Sequence, residues 1–164
     1  MSIFIKLIGG VIILLLALYV SRCYEKYLRR RIAEYRGLYE LFGHAEGRIS
    51  DFLSYGSRLW QGFADEALEA CGLLTLLRGG EGLAASFDKC KEKMSLPKRA
   101  LDSISEKLKK LGGGYVASEL LTLRELRDSL ASELKAAEEQ GEKNIKVARA
   151  LLLGGALAVF IMAL

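Results

Sequence analysis

The chain has 164 residues and a net charge of +4, and 27% of its residues are charged although its mean hydropathy is positive, at +0.20. These values agree only if the apolar residues are clustered, and they are clustered at the two ends of the chain. The basic residues gather beside the same ends, which excludes the basic stripe of a nucleic-acid-binding domain, and the wide spacing of Cys23, Cys71 and Cys90 excludes a CxxC zinc or redox site.

The first element is an apolar run from Leu7 to Val20 without a charged residue. With residues 3–5 added it approaches the length of a membrane-spanning helix, and Lys6 can extend to the outer headgroups. A cleaved signal peptide is the alternative, but its positive charge would precede the apolar run rather than follow it. An arginine directly before Cys23 also argues against lipoprotein processing. We therefore predict a retained transmembrane helix over residues 1–21.

The middle of the chain, residues 22–146, has a soluble composition and apolar residues at helical spacing, with no strand-like alternation. It is predicted to be an all-α bundle of about six helices. The first of these continues from the membrane, and Gly43 is expected to end it. Pro97 stands where a new helix can begin. The other helices are predicted over about residues 49–59, 63–77, 83–93, 97–111 and 117–146.

The last helix is predicted to run from about Ala117 through Gly141 into a second apolar run, Ala150 to Leu164. Its apolar seam is expected at Leu120, Leu123, Leu126 or Arg127, Leu130, Leu134 and Ala137. The final run has no polar face, which favours a membrane span over residues 147–164 to a buried core helix. At about 1.5 Å per residue it covers about 22 Å, which is short for a bilayer core of about 30 Å.

Small residues recur every four positions in this final run, at Ala150, Gly154 and Ala158. Such a stripe suits close contact between helices in lipid. Either the first membrane helix or a partner protein is expected to pack against it.

Basic residues flank both apolar runs on the side of the middle domain. Under the positive-inside rule this places the domain in the cytoplasm and both termini outside, in a two-span protein of the cell membrane. The same residues are expected to contact the headgroups of membrane lipids. They are Arg22, Lys26, Arg29, Arg30 and Arg31 after the first run, and Lys146 and Arg149 before the second.

No catalytic or cofactor-binding pattern stands out in the sequence. His44 has no nucleophile or carboxylate pattern around it and is interpreted as a turn residue, and Trp60 as a core or interface residue. Neither glycine-rich stretch follows a strand or carries the lysine of a phosphate loop, so that no enzyme, metal or cofactor is predicted. The loops Arg78–Gly82 and Gly112–Tyr115 are free to meet a partner. Their candidate contact residues are Arg78, Glu81 and Tyr115.

Several local patterns match a known family. They are Lys6-Leu7-Ile8-Gly9-Gly10 at the start, Leu108, Leu111 and Gly112 at a helix end, and Leu120-Leu121-Thr122-Leu123, Leu126, Leu130, Glu133-Leu134, Ala137, Gln140, Lys143-Asn144, Lys146, Arg149 and Gly154-Gly155 in the last helix. In these the chain resembles the stage III sporulation protein AB family of endospore-forming bacteria. It departs from that family at Ser57–Trp60, where a proline is common, and at Gly112–Tyr115, where the family has a Gly-Ser-Asp turn.

The resemblance implies a fold and a role. The middle domain would be similar to the cytoplasmic domain of the type II secretion F proteins, a compact six-helix bundle. The protein would be a structural part of the channel complex between mother cell and forespore, in the mother-cell membrane, and would dock a cytoplasmic ATPase beside other membrane subunits. The alternative is a membrane-anchored regulatory adaptor whose helical domain binds a signalling protein. Self-association is left open by either interpretation.

Overall fold

The computed structural model describes residues 2–52, 56–111 and 115–163, and all regular structure in these ranges is helical. The predicted all-α class is therefore confirmed. The helices are α1 (Ser2–Phe52), a 3-10 helix (Gly56–Trp60), α2 (Glu66–Ala70), α3 (Leu73–Arg78), α4 (Leu83–Cys90), a second 3-10 helix (Lys91–Lys93), α5 (Lys98–Leu108) and α6 (Val116–Ala163).

The chain forms two compact units. The paired-helix unit consists of Met1–Arg29 and Ala137–Leu164, and the helical unit consists of Arg30–Ala136. Helices α1 and α6 continue without a break through residues 21–22 and 146–147, where the sequence suggested domain boundaries. Those boundaries stay a prediction.

Helix α1 does not end at Gly43 as predicted, but continues to Phe52. A glycine inside a helix costs only about 0.5–1 kcal/mol, and burial of Phe42, Ala45 and Ile49 on either side of it outweighs that cost. The guanidinium of Arg127 lies 3.5 Å from the point where a Cβ of residue 43 would stand, which is an ordinary van der Waals distance. His44 consequently lies within a helix and not in a turn.

The single helix predicted over residues 63–77 is also wrong, because two short helices, α2 and α3, take its place. They meet at Gly72, whose φ of +87° lies in the left-handed region that side chains other than glycine's rarely adopt. Helix α2 begins at Asp65, whose carboxylate accepts a hydrogen bond from the backbone N–H of Leu68 at 2.8 Å.

Helices α4 and α5 agree with the sequence prediction. α4 ends in a short 3-10 turn at Lys93, and α5 begins directly after Pro97. The predicted stripe of α5 is buried at Leu101, Ile104 and Leu108. Gly112–Gly114, expected to stop this helix, lie outside the described residues.

The core of the helical unit contains buried side chains from the two long helices, α1 and α6, and from the short helices between them. Leu123, Leu126 and Leu130 of α6 are buried, which settles the choice between Leu126 and Arg127 in favour of leucine. One carboxylate, Glu34, is fully buried and accepts hydrogen bonds from Arg30 Nε at 2.9 Å and from the Ser95 backbone N–H at 2.5 Å. The largest buried apolar side chains are Tyr35, Leu38, Leu41, Phe42, Leu68, Leu73, Leu74, Leu77, Phe87 and Leu108.

Small residues make up most of the buried positions in the paired-helix unit. They are Gly10 and Ser21 on α1 and Gly141 and Ala156 on α6, and Leu28 is the large residue buried beside them. The predicted small-residue stripe is not among these positions, because Ala150, Gly154 and Ala158 are exposed.

Among the described residues, one helix is long and apolar enough to cross a membrane, and it is α1. The predicted first span therefore has the helix it requires. A second span over residues 147–164 stays a prediction.

Candidate docking groove

The histidine and the two buried cysteines have structural surroundings. His44 Nε2 donates a hydrogen bond to the Leu59 carbonyl at 3.1 Å, and its ring centroid lies 5.4 Å from that of Phe63. Burial raises the pKa of the Cys71 and Cys90 thiols, which disfavours the reactive thiolate. Within residues 2–52, 56–111 and 115–163, no three His, Cys, Asp or Glu side chains gather in a way that could hold a metal ion.

The helical unit instead contains an apolar groove of about 430 Å³, a size typical of binding pockets. Among the described residues, the groove is open to solvent. Five elements build it, and we call it the docking groove. Its apolar lining comprises Ala45 and Ile49 of α1, Leu59 and Trp60 of the first 3-10 helix, Leu83, Ala84 and Ala85 of α4, Leu108 and Leu111 at the end of α5, and Leu123 of α6.

Small residues explain why the groove stays open. One of its walls is the turn Gly80–Gly82 together with the alanines at 84 and 85, and these residues have little side chain to fill the space. Gly80 adopts a φ of +88°, a turn conformation that favours glycine. The lining also includes three large side chains, Ile49, Leu59 and Trp60, which are 5–8% exposed.

The three predicted partner-contact residues have different surroundings. Arg78 Nη2 donates hydrogen bonds to the Phe63 carbonyl at 2.7 Å and to Glu69 Oε1 at 3.0 Å, and it does not line the groove. Glu81 lines the groove and accepts hydrogen bonds from Lys89 Nζ at 2.7 and 2.8 Å. Tyr115 is 90% exposed, directly before α6. The structure thus brings one of the three to the groove.

Most of the groove residues were not singled out by the sequence. Ile49, Leu83, Leu108 and Leu123 carry the spacing of ordinary core residues, and nothing in that spacing separates a filled core from an open groove. Trp60 was the one signal, since a tryptophan in a short irregular segment is typical of a core or an interface. It is 5% exposed and belongs to the groove wall.

A cluster of ion pairs joins α1 to α6 within the helical unit. Glu46 accepts hydrogen bonds from Arg124 Nε at 2.6 Å and from Arg127 Nη1 at 3.2 Å. The hydrogen bond from Arg124 is the main cause that lowers the pKa of this carboxyl, and Arg127 contributes further. The guanidinium of Arg127 also lies 4.8 Å from the ring centroid of Tyr39. Glu46 is thereby kept ionised and fully paired, and it adds no free negative charge to the groove's surroundings.

The predicted membrane-flanking basic residues fall into two sets. In the paired-helix unit, Glu25 accepts hydrogen bonds from both Arg29 Nη2, at 2.8 Å, and Arg149 Nη2, at 2.9 Å. Glu25 therefore pairs with one arginine that follows the first apolar run and with one that precedes the second. The other members of this set, Arg22, Lys26 and Lys146, are exposed.

The second set belongs to the helical unit. Arg30 pairs with the buried Glu34 and donates a hydrogen bond from Nη2 to the Lys93 carbonyl at 2.9 Å. The guanidinium of Arg31 lies 5.9 Å from the Tyr35 ring centroid. Both arginines are therefore engaged with the folded unit, in addition to any role at lipid headgroups.

The site is thus defined by its geometry: an apolar groove, a neighbouring network of paired charges, and an absence of clustered reactive groups in the described ranges. This arrangement is compatible with the binding of an apolar group or surface. The chain matches no protein-family model, no curated protein and no solved structure.

Proposed function

We propose that this chain is a non-catalytic platform protein of a secretion-like channel complex, with the role that its resemblance to the stage III sporulation protein AB family implies. Two terminal helices anchor it in the cell membrane. Its helical unit is a cytoplasmic bundle of the type II secretion F kind, which holds a cytoplasmic ATPase beside other membrane subunits. In a sporulating cell the complex lies between mother cell and forespore, with this protein in the mother-cell membrane.

The observation that carries the docking function is the open apolar groove. A chain that folds alone gains free energy by covering apolar side chains, at about 25 cal/mol per Å². An apolar concavity next to charged residues is therefore typical of a surface that another protein covers.

The anchoring function is supported by the paired-helix unit. Its large apolar side chains, such as Leu16 and Leu157, are exposed. Exposure of such side chains to water is unfavourable, whereas their exposure to lipid is not. The exposed basic residues Arg22, Lys26 and Lys146 follow or precede the apolar runs on the side of the helical unit. By the positive-inside rule they favour a cytoplasmic helical unit.

Affinity purification of the full chain from sporulating membranes tests the docking function. A platform should bring down an ATPase and other integral membrane subunits. Recovery of a soluble signalling protein without an ATPase would support the regulatory adaptor instead. ATP hydrolysis by the purified chain alone would contradict a non-catalytic role.

The orientation has a separate test. Alkaline phosphatase inserted after Gly80, in the turn of the helical unit, should be inactive in cells because the enzyme needs an oxidising exterior. The same reporter at the N-terminus should be active. Activity after Gly80 would contradict the cytoplasmic location.

A further inference from the structure

The basic residues that follow the first apolar run are not equivalent in the structure. Glu25 Oε1 accepts a hydrogen bond from Arg29 Nη2 at 2.8 Å, and Glu25 Oε2 accepts one from Arg149 Nη2 at 2.9 Å. The hydrogen bond from Arg29 is the main cause that lowers the pKa of this carboxyl. Both arginines therefore have a carboxylate partner within the paired-helix unit.

Arg22 and Lys26 have no such partner. Both side chains are exposed, and neither makes a hydrogen bond or an ion pair with another described residue. They stand four positions apart on α1 and so lie on the same helical face, which also carries the exposed Tyr19 about one turn earlier. We call Tyr19, Arg22 and Lys26 the cationic face.

Nearby carboxylates do not offset the charge of the cationic face. Over residues 19–31 the helix has one carboxylate, Glu25, which is already paired with two arginines. On α6 the situation differs, because Lys146 shares its helical face with two exposed carboxylates, Glu139 and Glu142. The charge of Lys146 is thereby offset by its neighbours, whereas that of the cationic face is not.

We infer that the cationic face binds the headgroups of anionic phospholipids and selects them over zwitterionic ones. This inference rests on the proposed membrane location of the paired-helix unit and names the lipid class. The face belongs to a helix that is apolar and long enough to cross a membrane, and tyrosine is enriched where such helices reach the headgroups. Each lysine or arginine near an anionic membrane surface strengthens binding about fivefold, and both can donate hydrogen bonds to phosphate oxygens.

Lipid binding to the full chain in detergent micelles tests the inference. The chain is titrated with dioleoyl phosphatidylglycerol or with dioleoyl phosphatidylcholine, and native mass spectrometry counts the lipids that stay bound. Phosphatidylglycerol should bind on the order of tenfold more tightly, and raised salt should reduce this preference. Inorganic phosphate should displace the lipid no better than sodium chloride of equal ionic strength.

Matched variants locate the binding. Arg22→Gln with Lys26→Gln should abolish most of the preference for phosphatidylglycerol. Lys107→Gln with Lys110→Gln removes the same charge far along the chain from both apolar runs, and it should preserve the preference. Arg22→Lys with Lys26→Arg keeps both charges and should preserve it as well. Circular dichroism verifies that each variant has the helix content of the original chain.

Three results would overturn the inference. They are equal binding of the two lipids by the folded chain, a preference that survives Arg22→Gln with Lys26→Gln, and displacement by inorganic phosphate beyond the effect of salt, which would assign the face to a free anion. The phosphatase fusions separate this inference from the proposed function. If they place the helical unit in the cytoplasm and the lipid preference is absent, the lipid inference alone fails. If the reporter at the N-terminus is inactive, the proposed membrane topology itself fails.

Discussion

In the paired-helix unit, the large apolar side chains of α1 and α6, such as Leu16 and Leu157, are exposed, while glycine, alanine and serine occupy buried positions. In the helical unit the same two helices do the opposite. There Tyr35, Phe42 and Leu130 are buried, together with one paired carboxylate, Glu34. Each of the two long helices thus buries a different kind of side chain in each unit.

The proposed membrane location of the paired-helix unit accounts for this difference, because the two units would then pack in different solvents. In water, burial of large apolar side chains drives packing, so they belong inside. In lipid the tails are as apolar as leucine, and helices associate through small residues that allow close approach and through polar contacts. Buried Gly10, Ser21, Gly141 and Ala156 fit the second rule. The comparison predicts that the same chemical change acts on folding in the helical unit and on membrane insertion in the paired-helix unit.

The largest effect is expected from a charge in the core of the helical unit. Leu130→Asp buries an unpaired carboxylate at a position that is 2% exposed, and it should destabilise the unit by about 3–5 kcal/mol. Leu121→Asp changes a residue of the same helix that is 59% exposed, and it should cost less than about 0.5 kcal/mol. Urea denaturation followed by circular dichroism measures both. Equal midpoints would mean that this face of α6 is not core.

The same change in the paired-helix unit should act on membrane insertion rather than on folding. Leu16 is 57% exposed, and Leu16→Asp in a lipid-facing position should disfavour insertion by about 2.5–3.5 kcal/mol. An N-terminal epitope tag accessible from outside the cell reports insertion of the first helix. The tag signal should fall sharply for Leu16→Asp and be retained for Leu121→Asp. An unchanged signal would contradict a lipid surface at Leu16.

The elements that sequence predicted well are those in which local pattern and tertiary packing agree. Helix α6 carries an apolar seam from Leu120 to Ala137, and it continues through Gly141 as expected. The start of α5 after Pro97 follows from local backbone chemistry alone. Such features need no knowledge of what packs against them.

The predictions were wrong where tertiary packing determines the local structure. Gly43 and Gly72 are both glycines near the end of a periodic stretch, yet one lies inside a helix and the other interrupts one with a positive φ. The small residues at 150, 154 and 158 recur every fourth position yet are exposed, because the spacing alone does not show which face of the helix is covered. The docking groove unites five elements distant in the chain, so no local pattern could predict it. Glu81 was predicted from its loop, but not the apolar walls beside it.

A smaller effect is expected at Gly37, where α1 approaches the start of α2. A Cβ at this position would stand 2.6 Å from Asp65 Oδ1 and 3.0 Å from Leu68 Cγ. Gly37→Ala should therefore displace the capping carboxylate and destabilise the helical unit by about 1–3 kcal/mol.

Gly47 on the same helix is the matched control, since no atom stands within 4 Å of its hypothetical Cβ. Gly47→Ala should stabilise the helix by about 0.5–1 kcal/mol, because alanine is the better helix former. Thermal unfolding of the two variants should consequently shift in opposite directions. Shifts of the same sign would show that Gly37 is not needed for close approach.

The smallest effect concerns the pH dependence of the helical unit. The pKa of Asp88 is lowered from its usual 3.8 to about 2, chiefly because the Ser105 hydroxyl donates a hydrogen bond to it at 2.7 Å, with Lys91 at 2.9 Å as the next cause. A carboxylate whose pKa is lower in the folded state stabilises that state at pH values above 3.8. This contribution is lost as the pH falls from 3.8 towards 2.

Asp88→Asn removes the charge that joins α4 to α5. Since the side chain is 33% exposed, solvent screening reduces the expected loss at pH 7 to less than about 1 kcal/mol. Below pH 2 the original chain and the variant should be equally stable, because the aspartate is then protonated in both states. Asp128→Asn, at an exposed position of α6, controls for a general change in net charge and should shift the urea midpoint less at pH 7. A difference between the original chain and Asp88→Asn that persists unchanged at pH 2 would assign the effect to packing or hydrogen-bond geometry rather than to charge.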